Sequence, residues 1–587
     1  MPESIAPERP PLLVQATTPS RRLVLLPLGF TALLMAFTAL PRLRENARLL
    51  GSFAGACALL LVWAAALFAR AVARNQSFRA HFVLRRPHWL QPLVQGSIYL
   101  YWGWEWEQVS RSAYLIAAQL VFAYAFDLLL AWTRDQDYEL GLGPFPIVLS
   151  INLFLWFRPD WFWWQFVLIA TGFGAKQLLR WKKDGRSTHI FNPSSFPLAI
   201  ASVLLLATGT GDHTFGAQIA ATLENPRHIF EFLFLVSIPG QVLFGVASMT
   251  MPAVLTAFLL GAVYQTITGT YYFFSTIPTA VFLGMLLLFT DPATAPRTEL
   301  GRVLYGILYG ASAFILFGVL ELLDQQGFYD KLLLVPLLNL SVQGIDRIAT
   351  SRRLAWLDPS VRFKRFSGRP RNLVWTGVWA GGFALLLALH AVGDTHPGNR
   401  VPYWEKACAQ GLRNGCLHLL SMETIYCDRG SGWACNEVGI RASMGKFLPD
   451  HLVSVRTTLF QRACKLGFQS GCANERLQVN GGELRRAPPT AADYELLLEN
   501  KNLPSRHTPA QLWTWACEQG WAEACDGGGP APSQPIQEDV AACGRGERAA
   551  CRAVAVKYRR GDGVARDDHR ALACELGIKE ICLARLQ

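Results

Sequence analysis

For roughly its first 390 residues the chain alternates between long apolar blocks and short polar breaks, and then it changes character. A helix needs about twenty apolar residues to cross a bilayer. Thirteen segments fit, at roughly 23–41, 49–69, 88–107, 112–133, 143–157, 161–179, 192–208, 228–248, 251–269, 271–290, 302–320, 331–349 and 374–393. The segment 88–107 also reads as an interfacial helix, because Glu105 and Glu107 sit at its Trp-rich end (Trp102, Trp104, Trp106). Residues 1–20 are polar and proline-rich, which predicts a disordered tail. Arg21 and Arg22 then precede the apolar run Leu23 to Leu40, and Pro41-Arg42-Leu43-Arg44 follows it. A cleaved signal peptide needs small residues at that point, so the run predicts a retained signal-anchor helix.

The last 180 or so residues are polar and hold twelve of the thirteen cysteines, all in pairs with seven residues between them. The pairs are Cys408/Cys416, Cys427/Cys435, Cys464/Cys472, Cys517/Cys525, Cys543/Cys551 and Cys574/Cys582. Each has a form close to Ala-Cys-x-x-Gly-x-x-x-x-Cys, as in Ala463-Cys464-Lys-Leu-Gly467 with Cys472. Glycine suits the left-handed stop of a helix, so each pair predicts an antiparallel helix corner closed by one disulfide. Zinc sites favour closer Cys-x₂₋₄-Cys pairs and haem attachment needs Cys-x-x-Cys-His; the uniform gap fits neither. Structural disulfides persist outside the reducing cytosol, which places residues 394–587 on the outer, periplasmic side of a bacterial inner membrane.

Charge agrees with this orientation. Basic residues are concentrated in cytoplasmic loops, and thirteen crossings from a cytoplasmic N-terminus place these groups inside: Arg70, Arg74, Arg79, Arg85 and Arg86; Lys176, Arg180, Lys182, Lys183 and Arg186; Arg297 and Arg302; and the 352–371 loop. The net charge of +12 lies in such loops rather than on a soluble patch, which argues against nucleic acid as a partner and for the lipid bilayer. The expected organisation is a tail (1–20), two extra transmembrane helices (21–86), a transmembrane core (87–350), a basic cytoplasmic loop (351–372), a last transmembrane helix (373–393) and a periplasmic repeat domain (394–587).

Two segments in the apolar part carry candidate chemistry. Phe191-Asn192-Pro193 and Thr290-Asp291-Pro292 each set a polar residue before a proline at the edge of an apolar helix. Proline frees backbone carbonyls and disfavours helix just before it, and irregular backbone at membrane depth needs a protein or cavity lining. Carboxylates there are costly and usually functional, so Asp291 is a candidate for ion handling; as a turn or cap residue at the membrane surface it would need no such role. Asp127, mid-span in 112–133, is an ion-path candidate or the partner of a neighbouring polar group. Glu231 and Asp346 lie near span ends, within snorkelling reach of water. Cys57 stands alone, so an iron–sulfur cluster built by this chain lacks its ligands. No metal site and no nucleotide fingerprint is found.

Ala175-Lys-Gln-Leu178, Phe191-Asn-Pro193, Leu283-Gly284 with Phe289-Thr-Asp-Pro-Ala-Thr-Ala295, and Gly301-Arg-Val-Leu-Tyr-Gly306 occur in that order. Over roughly 85–352 the chain resembles the NqrB and RnfD membrane subunits of ion-translocating, flavin-containing electron-transfer complexes. The resemblance implies an all-α fold: a ten-helix core in two five-helix halves, here with about three extra spans. It implies flavin (FMN or riboflavin), with Asn192, Pro193, Thr290, Asp291 and Pro292 near the cofactor or ion path, and other electron-transport subunits as partners. The family's Ser-x-Ala-Thr attachment motif is absent, so the flavin implied is noncovalent. A redox-silent transporter or channel on the same scaffold is the alternative. At the C-terminus, Tyr558-Arg-Arg-Gly-Asp-Gly-Val564 with Asp567, Ala571 to Gly577 and Cys582 resembles cysteine-rich Sel-like repeats, relatives of tetratricopeptide repeats. That resemblance implies an α-solenoid of disulfide-stapled hairpins which docks a periplasmic protein or serves as a membrane-anchored adaptor.

Overall fold

The computed structural model describes residues 13–16, 19–84, 86–183, 185–273, 277–323, 325–362, 368–444, 456–480, 482–498 and 509–525, with a few positions between 543 and 555. The chain is mostly helical and forms two compact units. The first unit comprises Met1–Val263 and Thr276–Gly393; the second joins Tyr264–Ser275 to Asp394–Gln587.

The principal helices of the first unit are α1 (Leu25–Ala36), α2 (Ala47–Ala73), α3 (Arg86–Glu105), α4 (Ala113–Thr133), α5 (Pro144–Asn152), α6 (Trp163–Leu178) and α7 (Ser195–Thr208). They continue with α8 (Ile229–Phe244), α9 (Ala247–Thr268), α10 (Thr279–Leu283), α11 (Glu299–Leu322), α12 (Leu334–Ala349) and α13 (Arg369–Ala388). Among the described residues, six helical stretches are long and apolar enough to cross a membrane: Arg21–Ala39, Ala47–Ala73, Ala113–Thr133, Ala247–Thr268, Glu299–Leu322 and Gly327–Ala349. Of the other expected spans, 88–107 and 374–393 form the 20-residue helices α3 and α13, outside these six, and the rest are shorter helices. The 143–157 segment gives only nine helical residues in α5. The 271–290 segment becomes helical at Thr279, and after α10 its backbone widens into a π turn over Gly284–Leu288. The turn closes with Phe289 N–H donating to the Gly284 carbonyl at 3.3 Å.

Caps and small residues explain several boundaries. Asn46 accepts from the Leu49 N–H at 2.9 Å to start α2, and Thr298 accepts from the Gly301 N–H at 3.0 Å to start α11. A side-chain acceptor there satisfies a donor that the first helical turn leaves open. Gly306 and Gly310, one turn apart on α11, lie against the backbone of α9. A Cβ at either position would sit 2.3 Å from the Met249 or the Ala253 carbonyl oxygen. Small residues at such spacing let membrane helices approach closely.

Two small sheets add to the helical architecture expected from sequence. Strands β1 (Leu13–Ala16) and β2 (Ala80–Leu84) pair antiparallel, and β2 pairs parallel with β3 (Tyr138–Leu140). Strands β4 (Arg180–Lys183) and β5 (Arg186–His189) form a basic hairpin in which Arg180 faces His189.

The second unit is built from α14 (Val401–Ala409), α15 (Arg413–Asp428), α16 (Gly432–Met444), α17 (Arg456–Lys465), α18 (Gln469–Asn480), α19 (Ala491–Leu498), α20 (Pro509–Glu518) and α21 (Ala522–Cys525). Five of the expected disulfides close: Cys408–Cys416, Cys427–Cys435, Cys464–Cys472, Cys517–Cys525 and Cys543–Cys551, with Cα separations of 4.4–4.6 Å. For Cys551 the expected disulfide is formed. It bonds Cys543, and its Sγ lies 3.6 Å from the Cys543 carbonyl oxygen. The helix corner expected between the two, however, falls largely outside the described residues. Cys543 is buried there and Cys551 half-buried. Cys574/Cys582 and the Tyr558–Val564 motif also lie outside the described residues.

Gly411, Gly430, Gly467 and Gly520 take positive φ at the corners. The residue after each glycine donates back to the carbonyl five residues earlier (Leu412 to Ala407, Phe468 to Ala463), the Schellman stop expected of that pattern. Trp404, Leu419, Trp433, Ala463, Tyr494 and Trp521 form the buried centre. The segment 264–273, assigned by sequence to the apolar core, packs in this second unit. Tyr271 packs at a tilt against His396 and Tyr403, with centroids 4.4 and 4.9 Å away.

Candidate functional site

The two polar-proline segments meet at one end of the first unit, next to the β4–β5 hairpin. Each makes the same local turn. Asn192 Oδ1 accepts from the Ser194 and Ser195 N–H groups at 2.9 and 3.0 Å, and Asp291 Oδ1 accepts from the Ala293 N–H at 3.0 Å. Short polar side chains commonly satisfy backbone two residues on in this way, and the prolines contribute no competing donor. The remaining bonds join the segments. His189, the last residue of β5, contacts Asp291 Oδ2 through Nε2 at 2.9 Å. Asn192 Nδ2 donates to the Leu288 carbonyl at 2.9 Å, at the end of the π turn. Thr290 donates back to the Leu286 carbonyl at 3.0 Å. Pro193 is approached by α6 where only glycine fits: a Cβ on Gly172 would lie 2.4 Å from the Pro193 carbonyl oxygen. Asp346 accepts from the Arg297 and Thr298 N–H groups and tethers the start of α11.

From this end a buried line of polar and aromatic side chains runs into the bundle. The Asn192 N–H donates to Asn339 Oδ1 at 3.0 Å, and Asn339 Nδ2 donates to the Tyr305 hydroxyl at 2.9 Å. Tyr305 and Tyr309 lie one turn apart on α11, and Phe289 stacks on both, at 5.7 and 4.4 Å. The Tyr309 hydroxyl is buried and has no hydrogen-bond partner. It lies over the π turn, where a Cβ on Gly284 would be 3.0 Å from its oxygen and 3.7 Å from Lys331 Cβ. Lys331 Nζ pairs with Asp330 Oδ1 at 3.1 Å, and the Lys331 N–H donates to the same oxygen at 2.6 Å. Both side chains are almost fully buried, at 5% and 2% exposure. Beyond them, Tyr329 and Gln326 meet the 209–216 loop at Gly211.

Asp127 belongs to another neighbourhood, accepting from Gln177 Nε2 at 2.9 Å between α4 and α6. A further buried amide cluster, Gln119, Asn152 and Gln165, borders a cavity of about 20 Å³, room for a water-sized occupant. An open concavity of about 470 Å³ is lined by Arg48, Gly51, Ser52, Asp160, Trp161 and Trp163.

Sequence reasoning thus reached Asn192 and Asp291 but missed Asn339, Tyr305, Tyr309, Asp330 and Lys331. One available signal was the Tyr305-Gly306, Tyr309-Gly310 repeat, which sets two tyrosines on one side of α11 and two glycines on the next. No protein-family model matches the chain, and no curated protein or solved structure matches it.

Proposed function

We propose that the first unit crosses a bacterial cytoplasmic membrane and passes a proton or small cation along this buried file. The scaffold is of the electron-transport type that its motifs resemble. The observation carrying this reading is the file from His189–Asp291 through Asn192, Asn339, Tyr305 and Tyr309 to Asp330–Lys331. Polar groups are expensive in a membrane interior and mark transport paths, and π turns are frequent at functional sites. The basic hairpin end is cytoplasmic on this reading, and the disulfide-bearing unit is periplasmic.

Each member has a part. His189 and Asp291 form an entry at which Nε2 can take up or release a proton. A tyrosine hydroxyl both donates and accepts, so Tyr305, held by Asn339, and the unpartnered Tyr309 can hand on a proton or ligate a cation. Lys331 holds Asp330 neutralised until a mobile charge reaches it. The test is flux into proteoliposomes loaded with proton- and sodium-sensitive dyes. Flux above that of empty vesicles, lowered at least tenfold by Asp330→Asn, is expected; wild-type vesicles as tight as empty ones would reject the reading.

A second reading, flavin-dependent electron transport, is favoured by the open concavity. Its volume lies within the range of ligand sites, its indoles suit stacking on a planar ring, and Arg48 suits a phosphate. A flavin held there would supply one- or two-electron chemistry, while Trp161 and Trp163 would bind and shield it. The protein purified from its native host should then be yellow, and acid precipitation should release the chromophore; a colourless preparation would reject this reading.

A further inference from the structure

We infer that one face of the second unit, centred on Asn436, Glu437 and Asn474, is a docking site for an extended basic segment of a partner protein. The chain's own residues 482–490 fill it in cis.

These residues form neither helix nor strand and lie between α18 and α19. Asn474, fully buried, takes hold of both backbone groups of one residue. Its Oδ1 accepts from the Arg485 N–H at 2.6 Å and its Nδ2 donates to the Arg485 carbonyl at 2.8 Å. Asn436, also fully buried, donates to the same carbonyl at 3.3 Å, and its Oδ1 accepts from Asn474 Nδ2 at 2.9 Å. Two amides from α16 and α18 are thus committed to recognising main chain, while Arg485 itself is exposed. Side-chain recognition begins at the next residue, where Arg486 Nε meets Glu437 Oε2 at 3.3 Å; Glu437 is 4% exposed and Arg486 52%.

The charge around the site calls for more cation than the cis segment brings. Among the described residues, Glu405, Glu423, Glu437 and Glu523 interact there with only Arg441 and Arg486. Arg441 is engaged by both oxygens of Glu423, at 2.9 and 2.7 Å. Glu405 is left without a dedicated counter-ion among them, and its carboxyl is pushed up to about 7 by burial, with the neighbouring carboxylates adding to it.

Repeat register supports a site rather than a chance loop contact. Glu437 and Asn474 each stand two residues after the second cysteine of their hairpin, Cys435 and Cys472, and His418 stands two after Cys416. All three are buried. His418 also meets an incoming main chain: its Nε2 lies 3.1 Å from the Tyr272 carbonyl of the 264–273 segment. Burial pushes the His418 imidazole down to about 4, so it is neutral at pH 7 and makes this contact with Nε2 as N–H donor. In three successive hairpins one structural position meets a segment of chain that is neither helix nor strand. Because the groups recognised are one residue's N–H and C=O plus one guanidinium, a partner's extended segment with a basic residue next to the clamped one supplies the same contacts.

The experiment uses the full chain in detergent and a fluorescein-labelled peptide copying Glu483–Thr490, read by anisotropy. Arg485→Pro with Arg486→Glu opens the cis contact by removing the clamped N–H and reversing the paired charge. Arg486→Glu alone, at an exposed side chain, is the milder opening and serves if the double variant does not fold. The opened protein should bind the peptide at least tenfold more tightly than wild type. Adding Asn474→Ala should cost at least tenfold, and a peptide with glutamate in place of the second arginine should not bind. Equal peptide binding by opened and wild-type protein, absence of binding by both, or binding indifferent to Asn474 would each overturn the inference and leave 482–490 as a structural connector.

Discussion

Replacing Lys331 with methionine isolates the buried ion pair. The substitution keeps most of the apolar stem but removes the charge facing Asp330, which is 2% exposed. Removing one member of a buried pair costs about 3–5 kcal/mol, because the survivor is left charged and unpaired. Asp330 Oδ1 would keep its 2.6 Å bond from the Lys331 main chain, so the expected loss is at the lower end, about 3 kcal/mol. The double change Asp330→Asn with Lys331→Met removes both charges and leaves an amide oxygen for that same N–H. It should fall within about 1 kcal/mol of wild type, giving a coupling energy of about 2 kcal/mol or more. Reversible unfolding in mixed micelles, titrated with denaturing detergent, measures all four corners of the cycle. A loss below about 1 kcal/mol for Lys331→Met, or a double variant no more stable than the single one, would refute the claim that these charges depend on each other inside the bundle.

Peptide mapping without reduction should return the crosslinks Cys408–Cys416, Cys427–Cys435, Cys464–Cys472, Cys517–Cys525 and Cys543–Cys551, and Cys574–Cys582 by the same spacing; free thiols in the native protein would count against a disulfide-stapled unit. Gly310→Leu should separate α9 from α11, since even a Cβ would lie 2.3 Å from the Ala253 carbonyl oxygen; a monodisperse, wild-type-like gel-filtration profile would contradict that crossing. Glu405 has a folded pKa of about 7 against an ordinary value of 4.5. The folded state therefore binds the proton more tightly, and stability should fall as pH rises from about 4.5 to 7 and level off above, by at most about 3 kcal/mol. Pulse proteolysis of the second unit across that window should show the decline, and Glu405→Gln should lessen it, the remainder coming from Glu423, whose carboxyl burial also pushes up to about 7; a stability that rises with pH and is indifferent to Glu405→Gln would reverse the assignment.

What could be read from sequence was whatever left a local mark. The Cys-x-x-Gly spacing encodes a helix stop and a crosslink within ten residues, and the described corners formed as that pattern dictates. Asn192 and Asp291 were visible because a polar residue before proline is conspicuous in an apolar run. Asp330 and Lys331 were not: two charges at the start of an apolar segment look like an ordinary loop, and only the tertiary fold draws them inside. The π turn over Gly284–Leu288 changes hydrogen-bond register without changing composition, so the helix appeared continuous through 271–290. Tyr271, Tyr272 and Phe273 read as the apolar start of that span, whereas Tyr271 packs against His396 and Tyr403 in the second unit. The amide clamp on Arg485 joins residues 11 and 49 positions apart, beyond any local pattern.

Tyr309→Phe tests the proposed path most directly. The tyrosine hydroxyl is buried without a partner, so its removal breaks no hydrogen bond, and phenylalanine keeps the ring stacked 4.4 Å from Phe289. Deleting an unsatisfied buried polar group should leave stability unchanged or slightly raised. If the hydroxyl is a station on the file, proton or cation flux into proteoliposomes should nevertheless drop at least tenfold in a protein as stable as wild type. Undiminished flux through Tyr309→Phe would contradict a path along Asn339, Tyr305, Tyr309 and Asp330–Lys331.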